Sequence, residues 1–255
     1  MRSICSNRIG GWRGVAALLV FAAVTSHAWA NDGTLPPDQQ RAFGRSYAEW
    51  SAAWWQWALS LPADAHPLLD TAGCDGGQSG PVWFLGGSFA TTSVERDCTV
   101  PAGKPIFFPV LNTECSTVEG PPFFGSNEAE LRDCAAAIMN TAVDLFATID
   151  GVAVSNLDRY RVQSPLYEFS APDGGLFGGP VTGQSVSDGV WLMLMPLSPG
   201  SHTIHFGGTQ TFGDVTLTLD VTYHLTVQPQ GRGRGRVASD PQGVHTWGLV
   251  KSLYR

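Results

Sequence analysis

Asn112, Glu114 and Glu119 lie within eight residues of one another, directly after the apolar run Ile106-Phe107-Phe108-Pro109-Val110 and around Cys115. Two carboxyl groups held at a fixed separation can serve as general acid and general base on a glycosidic bond, or can bind a sugar. The same residue types also serve as solvated loop acids or as a cap on a following helix. The cysteine raises them above that: a disulfide at Cys115 would fix the segment on a rigid scaffold, where binding and catalytic groups concentrate. Trp55 joins them as a binding candidate. It belongs to the cluster Trp50, Trp54, Trp55 and Trp57 but falls off the stripe that the other three make, which predicts an exposed indole able to stack on a sugar ring.

Other constellations carry less chemistry. Ser79 in Gly77-Gln78-Ser79-Gly80 and Ser88 in Gly86-Gly87-Ser88-Phe89 both fail to complete a G-x-S-x-G nucleophile elbow. A serine hydrolase would therefore need another design. There is no H-E-x-x-H, no phosphate-binding loop and no dinucleotide fingerprint. His202 and His205 are three apart and point to opposite faces of a strand. With Phe206 set opposite Val215, His205 faces Thr216 and His224 lies roughly 26 Å further along, so no ion is shared. His66 and His245 add no spacing motif, and Asp70, Asp75, Asp173 and Asp188 lack that of a calcium loop. No metal and no cofactor is expected.

The surrounding chain narrows the setting. Of 255 residues, 43% are apolar and only 15% charged, with 30 Gly and 17 Pro, which excludes a disordered chain, a collagen and a long coiled coil. Arg2, Arg8 and Arg13 flank or precede the apolar run at 15–24, and the segment closes on Ala28-Trp29-Ala30. That pattern predicts a Sec signal peptide over residues 1–30, cleaved after Ala30, and a secreted or periplasmic protein with no membrane span in its mature chain. Residues 31–227 hold 7 basic and 21 acidic side chains, a balance that repels phosphate backbones and excludes nucleic acid as a partner. Residues 228–255 hold 5 basic and 1 acidic, and their Gly231-Arg232-Gly233-Arg234-Gly235-Arg236 run reads as a flexible, solvated tail.

With Cys5 inside the signal segment, Cys74, Cys98, Cys115 and Cys134 remain. An even number in an exported chain predicts two disulfides. Of three connectivities the sequential one is favoured, Cys74 with Cys98 and Cys115 with Cys134, because it closes two short loops and leaves the later strands free. Each is worth about 3 kcal/mol in the loop-entropy account. No C-x2-C pair suggests zinc.

These groups need elements to hold them. Phe43, Tyr47, Trp50, Trp54, Trp57 and Leu61 share one helical stripe, predicting a helix over 38–60, capped by Asp38 and stopped by Pro62, clamped across a sheet. Asn127 and Glu130 predict a capping box for a second helix, to about residue 141, with Leu131, Cys134, Ile138 and Ala142 inward. Asp150-Gly151 marks a type I′ hairpin. Strands are expected at 82–85, 94–100, 106–110, 159–163, 166–170, 189–195 and 202–206, with 191–195 covered on both faces. Residues 215–227 alternate apolar and polar throughout, a half-buried antiparallel strand. The expected fold is mostly β: an antiparallel β-sandwich, immunoglobulin-like or jelly-roll-like, over residues 31–227, with an N-terminal Trp-rich helix and one further helix.

Several phrases recur as a set: Trp54-Trp55-Gln56-Trp57, Gly80-Pro81-Val82-Trp83-Phe84-Leu85, Cys98-Thr99-Val100-Pro101-Ala102-Gly103-Lys104, Ser187-Asp188-Gly189-Val190-Trp191 and Pro199-Gly200-Ser201-His202-Thr203-Ile204-His205-Phe206. They resemble a group of uncharacterised secreted microbial proteins over about residues 45–227, a resemblance that implies export and carries over no functional residue. The Pro-Gly-x-His turn is also similar to the closing hairpin of immunoglobulin-like extracellular domains, which speaks to fold alone. The leading expectation is a secreted, non-enzymatic binder of a glycan, a cell surface or a protein partner. A carbohydrate or ester hydrolase, through Glu114 and Glu119 or a serine, is the alternative, and a structural envelope protein the third.

Overall fold

The computed structural model describes residues 33–38, 41–69, 73–90 and 92–229. Residues 1–30, read in the sequence as a signal peptide, lie outside the described residues, as do Asp70, His245 and the Arg-Gly run. Two β-sheets face each other, and two helices pack beside them.

The first sheet is built on β9 (Val181–Leu194), which pairs with β4 (Ile106–Ser116) on one side. On its other side lie β1 (Thr34–Leu35), β7 (Arg161–Gln163) and β8 (Tyr167–Ala171). A two-residue strand, β2 (Trp83–Phe84), runs parallel to the start of β4. The second sheet has the order β3 (Val94–Pro101), β11 (Val215–Gln228), β10 (Gly200–Phe212), β5 (Val143–Ile149) and β6 (Val152–Ala153). Trp191, Leu192, Met193 and Leu194 are fully buried because strands flank them and layers cover both faces, whereas Met195 leaves the strand and is 42% exposed. Between the sheets, Phe108 meets Phe206 at 4.9 Å, and Phe206 stacks on Tyr223.

The sheets are mixed rather than antiparallel throughout. β3 runs parallel to β11, from Val94 opposite Val221 to Pro101 opposite Gln228. The cause lies in the path of residues 83–116: β2 belongs to the first sheet, β3 to the second and β4 to the first again. Consecutive strands therefore sit in different sheets, no tight hairpin forces antiparallel pairing, and β2 reaches its parallel partner β4 by a crossover through β3.

The β10–β11 hairpin is longer than a Phe206–Val215 pairing allows. Phe206 faces Val221, and the chain turns only at Gly213-Asp214, between Phe212 and Val215. Gly207 and Gly208 look like a break in the strand, but they continue it through a bulge against β5. A Cβ at Gly207 would sit 2.0 Å from the Leu219 carbonyl oxygen, so only glycine fits so close an approach.

The first helix, α1, spans Tyr47–Leu59. It begins at Ser46 rather than near Asp38, because Ser46 and Glu49 form a reciprocal capping box. Phe43 stands in the preceding turn at φ 53°, off the helix. Trp50, Trp54 and Trp57 are buried, and their indole N–H groups donate to the carbonyls of Ala42, Leu85 and Gly76 at 2.7, 2.9 and 3.0 Å. Trp54 also meets Trp191 edge-on at 5.5 Å, so the helix is a clamp across the first sheet. The second helix, α2 (Glu128–Met139), is capped by Asn127, with Leu131, Ala135 and Ile138 buried against β4 and β9. Asp150 and Gly151, at φ 51° and 79°, make the type I′ turn between β5 and β6. Among the described residues, no helix is long and apolar enough to cross a membrane.

Candidate functional site

The disulfides are Cys74–Cys98 and Cys115–Cys134. The second joins α2 to β4 at the residue next to Glu114. Along β4, Asn112, Glu114 and Ser116 alternate onto one face and Cys115 onto the other, toward α2. β2 covers the outer edge of β4 only at Ile106 and Phe107. Pro109, which has no N–H to offer a neighbour, and a bulge before Leu111 follow. Beyond them this edge of β4 borders a cleft of about 700 Å³ between the two sheets.

The cleft wall is largely apolar. Trp55 and Leu59 come from α1, Phe89 and Phe177 from loops, and Leu217 and Leu219 from the far end of the β10–β11 hairpin. That hairpin end explains why the alternation of β11 is buried only from Leu219 onward, while Val215 is 55% exposed. Its apolar face runs past the opposite sheet and forms the rim of the cleft. All four site residues singled out in the sequence, Asn112, Glu114, Glu119 and Trp55, line this one space. Trp55 is not the exposed platform expected of it. It is 5% exposed, packed edge-on to Trp54 at 5.1 Å, because loops as well as the sheet cover its side of α1.

Glu114 is 6% exposed and accepts a hydrogen bond from the Ser185 hydroxyl of β9. Glu119 accepts one from the Ser116 hydroxyl at 2.9 Å. The two carboxyl groups are close enough to influence each other's titration. Glu114 is pushed well above the ordinary carboxylate range, first by burial and then by the neighbouring Glu119 charge. Glu119 is raised too, by its own burial. Tyr167, opposite Ser185 on β8, is raised by burial and by Glu114. Among the described residues no arginine, lysine or histidine pairs with either carboxyl group.

Three further polar atoms on the cleft residues are buried with no hydrogen-bond partner among the described residues: Asn112 Nδ2, Trp55 Nε1 and Gln210 Oε1. Gln210, 4% exposed, donates from Nε2 to the Asn112 carbonyl at 3.2 Å. A carbonyl can pair only with the amide nitrogen, so this bond fixes the orientation of Gln210 and leaves its oxygen free. Ser185 and Gln210 were not singled out in the sequence. The only trace of Ser185 is a period-two run of small residues, Gly183, Ser185 and Ser187, that turns out to be a buried strand face.

The remaining candidates lie elsewhere or serve the fold. Asp188 is bound by Arg161 at 2.9 Å. His205 pairs with Asp220 at 2.9 Å, facing Thr222 across the hairpin rather than Thr216. His224 pairs with Glu95 at 3.3 Å. His202 pairs with Asp150 at 2.7 Å, and its other nitrogen bonds the Ser198 carbonyl. His66 is buried, accepts from the Leu68 N–H and is lowered to about 4 by desolvation. Among the described residues no three His, Cys, Asp or Glu side chains gather as a metal site. Ser88 lines the cleft, and its hydroxyl accepts from the Ala90 N–H.

No protein-family model matches the chain, and no curated protein does. Among solved structures it is similar to a chain titled the solution structure of amebosin, with 9% identity over 52% of this chain and 96% of that one. The TM-score of 0.14 makes this a likeness too slight to bear on fold or function.

Proposed function

We propose that this is an exported, non-enzymatic binding protein that takes a small, predominantly apolar molecule into the cleft between its sheets. The cleft itself carries the reading: about 700 Å³, walled by aromatic and aliphatic side chains, with a few polar side chains in its lining. Export is supported by the 1–30 segment and by two disulfides suited to an oxidising compartment. A recessed cleft with Trp55 in its wall favours a small molecule over the broad glycan or protein surface that an exposed indole would serve. In finer terms the long β10–β11 hairpin supports an immunoglobulin-like reading of the second sheet, and the parallel β3–β11 pair weighs against it.

The neutral apolar dye 1-N-phenylnaphthylamine should bind saturably and brighten. Leu217→Trp, which fills the cleft from the half-buried hairpin end, should weaken that binding by about tenfold with the melting temperature retained. Absence of saturable binding, or equal affinity in both proteins, overturns the reading.

A further inference from the structure

We propose that the ligand is an organic cation, an apolar body bearing a primary or secondary ammonium group that seats between the Glu114–Glu119 carboxyl pair and Gln210 Oε1. The assignment rests on the cleft being a ligand site and names the chemistry it selects.

The polar lining of the cleft includes three acceptors that lack a positive partner among the described residues, the Glu114 and Glu119 carboxyl groups and Gln210 Oε1, beside the unpaired donors Asn112 Nδ2 and Trp55 Nε1. Each carboxyl group already accepts a serine hydroxyl, from Ser185 and Ser116. No basic side chain among the described residues answers them. A buried carboxylate without a counter-charge is costly, and proteins either protonate it or pair it. Burial pushes both carboxyl groups toward the first course. An arriving ammonium makes the second available, because its positive charge answers a carboxylate and its N–H groups donate to it.

Gln210 points the same way independently. It is 4% exposed, its amide nitrogen is committed to the Asn112 carbonyl, and its oxygen is a desolvated acceptor with no donor among the described residues. An ammonium carries three or two N–H donors, enough to reach a carboxylate and an amide oxygen together. An anionic head would meet the carboxyl pair with like charge and offer Gln210 nothing. An alcohol supplies a single donor and no charge.

The test compares three probes of equal chain length, n-octylammonium, n-octanol and n-octanoate, by displacement of 1-N-phenylnaphthylamine at pH 7. The expected order is octylammonium tightest, by about tenfold over octanol, with octanoate weakest. Glu114→Gln combined with Glu119→Gln should retain the dye and abolish the preference for the amine. Gln210→Leu should reduce that preference while leaving the carboxyl pair in place. Saturable dye binding with octanol displacing as well as octylammonium, or an unchanged preference in the foldable variant of the two, overturns the cation assignment and leaves the cleft as a ligand site. Absence of dye binding sinks the cleft reading itself. If the paired glutamine variant fails to fold, the wild-type ranking and Gln210→Leu still decide.

Discussion

Burial and the neighbouring Glu119 raise the Glu114 carboxyl above the ordinary carboxylate range, with a consequence for stability. A carboxyl group raised in the folded state binds more protons there than in the unfolded chain. The contribution of the pair is therefore most favourable at acid pH and declines as pH rises above the ordinary carboxylate range and through the raised values. Glu114→Gln should remove much of that decline. Its melting temperature at pH 8 should exceed that of the wild type by about 2–4 °C, the effect of roughly 1 kcal/mol in a domain of this size. At pH 4 the two should nearly coincide. Thermal melts across pH 4–8 give the result, and a variant less stable than wild type at pH 8 would show that the pair helps to hold the fold. This residue group was legible in the sequence because Glu114 and Glu119 flank a cysteine that had to be anchored. Ser185 and Gln210 were not, because strands far along the chain bring them to the site and nothing local marks the pairing.

At the scale of elements, two tryptophans one residue apart do different work. Trp54 is fully buried with its indole bonded to the Leu85 carbonyl, so Trp54→Ala should cost about 3–5 kcal/mol in urea unfolding. Trp55 faces the cleft with an unpartnered indole, so Trp55→Leu should weaken dye binding more than it lowers stability. The spacing of aromatic residues locates α1, but the burial of Trp55 depends on loops carrying Phe89 and Phe177, whose positions no periodicity encodes. The register of the last hairpin is a similar case. The strand expected at 202–206 runs on through Gly207, where the next strand comes too close for any side chain.

His202 ties the start of β10 to the β5–β6 turn through Asp150. Partial desolvation opposes its protonation, but the bonds to Asp150 and to the Ser198 carbonyl outweigh it and raise the imidazole. The sign is the reverse of the usual carboxylate case: this clamp is fully present below the ordinary histidine range and is lost as pH rises through the raised value. His202→Gln should therefore flatten the part of the stability profile that falls above the ordinary histidine range, as read by chemical denaturation at pH 6 and pH 8. A slope unchanged by the substitution would assign that titration to another group.

For the molecule as a whole, the two staples differ in what they protect. Cys74–Cys98 fastens a loop to β3 at the edge of the second sheet, while Cys115–Cys134 closes a 19-residue separation between β4 and α2 beside the carboxyl pair. Replacing either pair by serine should cost about 3 kcal/mol. Only loss of Cys115–Cys134 should also weaken dye binding, because only that bridge holds the strand bearing Glu114. Equal loss of binding in both variants would mean that the cleft depends on overall stability alone. Two disulfides could be read from cysteine number, their sequential pairing is favoured by the short loops it closes, and the two-layer mostly β plan could be read from hydrophobic alternation. The parallel strands could not, since they arise from residues 83–116 stepping between layers.

That stepping leaves both sheets with poorly extended margins. Among the marginal strands, β1, β2 and β6 are two residues long, β7 and β8 three and five, and the eight-residue β3 carries Glu95, Arg96 and Asp97 in its first half. A neighbouring copy finds little bare backbone to continue and charged side chains where the margin is long. The chain is thereby guarded against polymerising through its own strands.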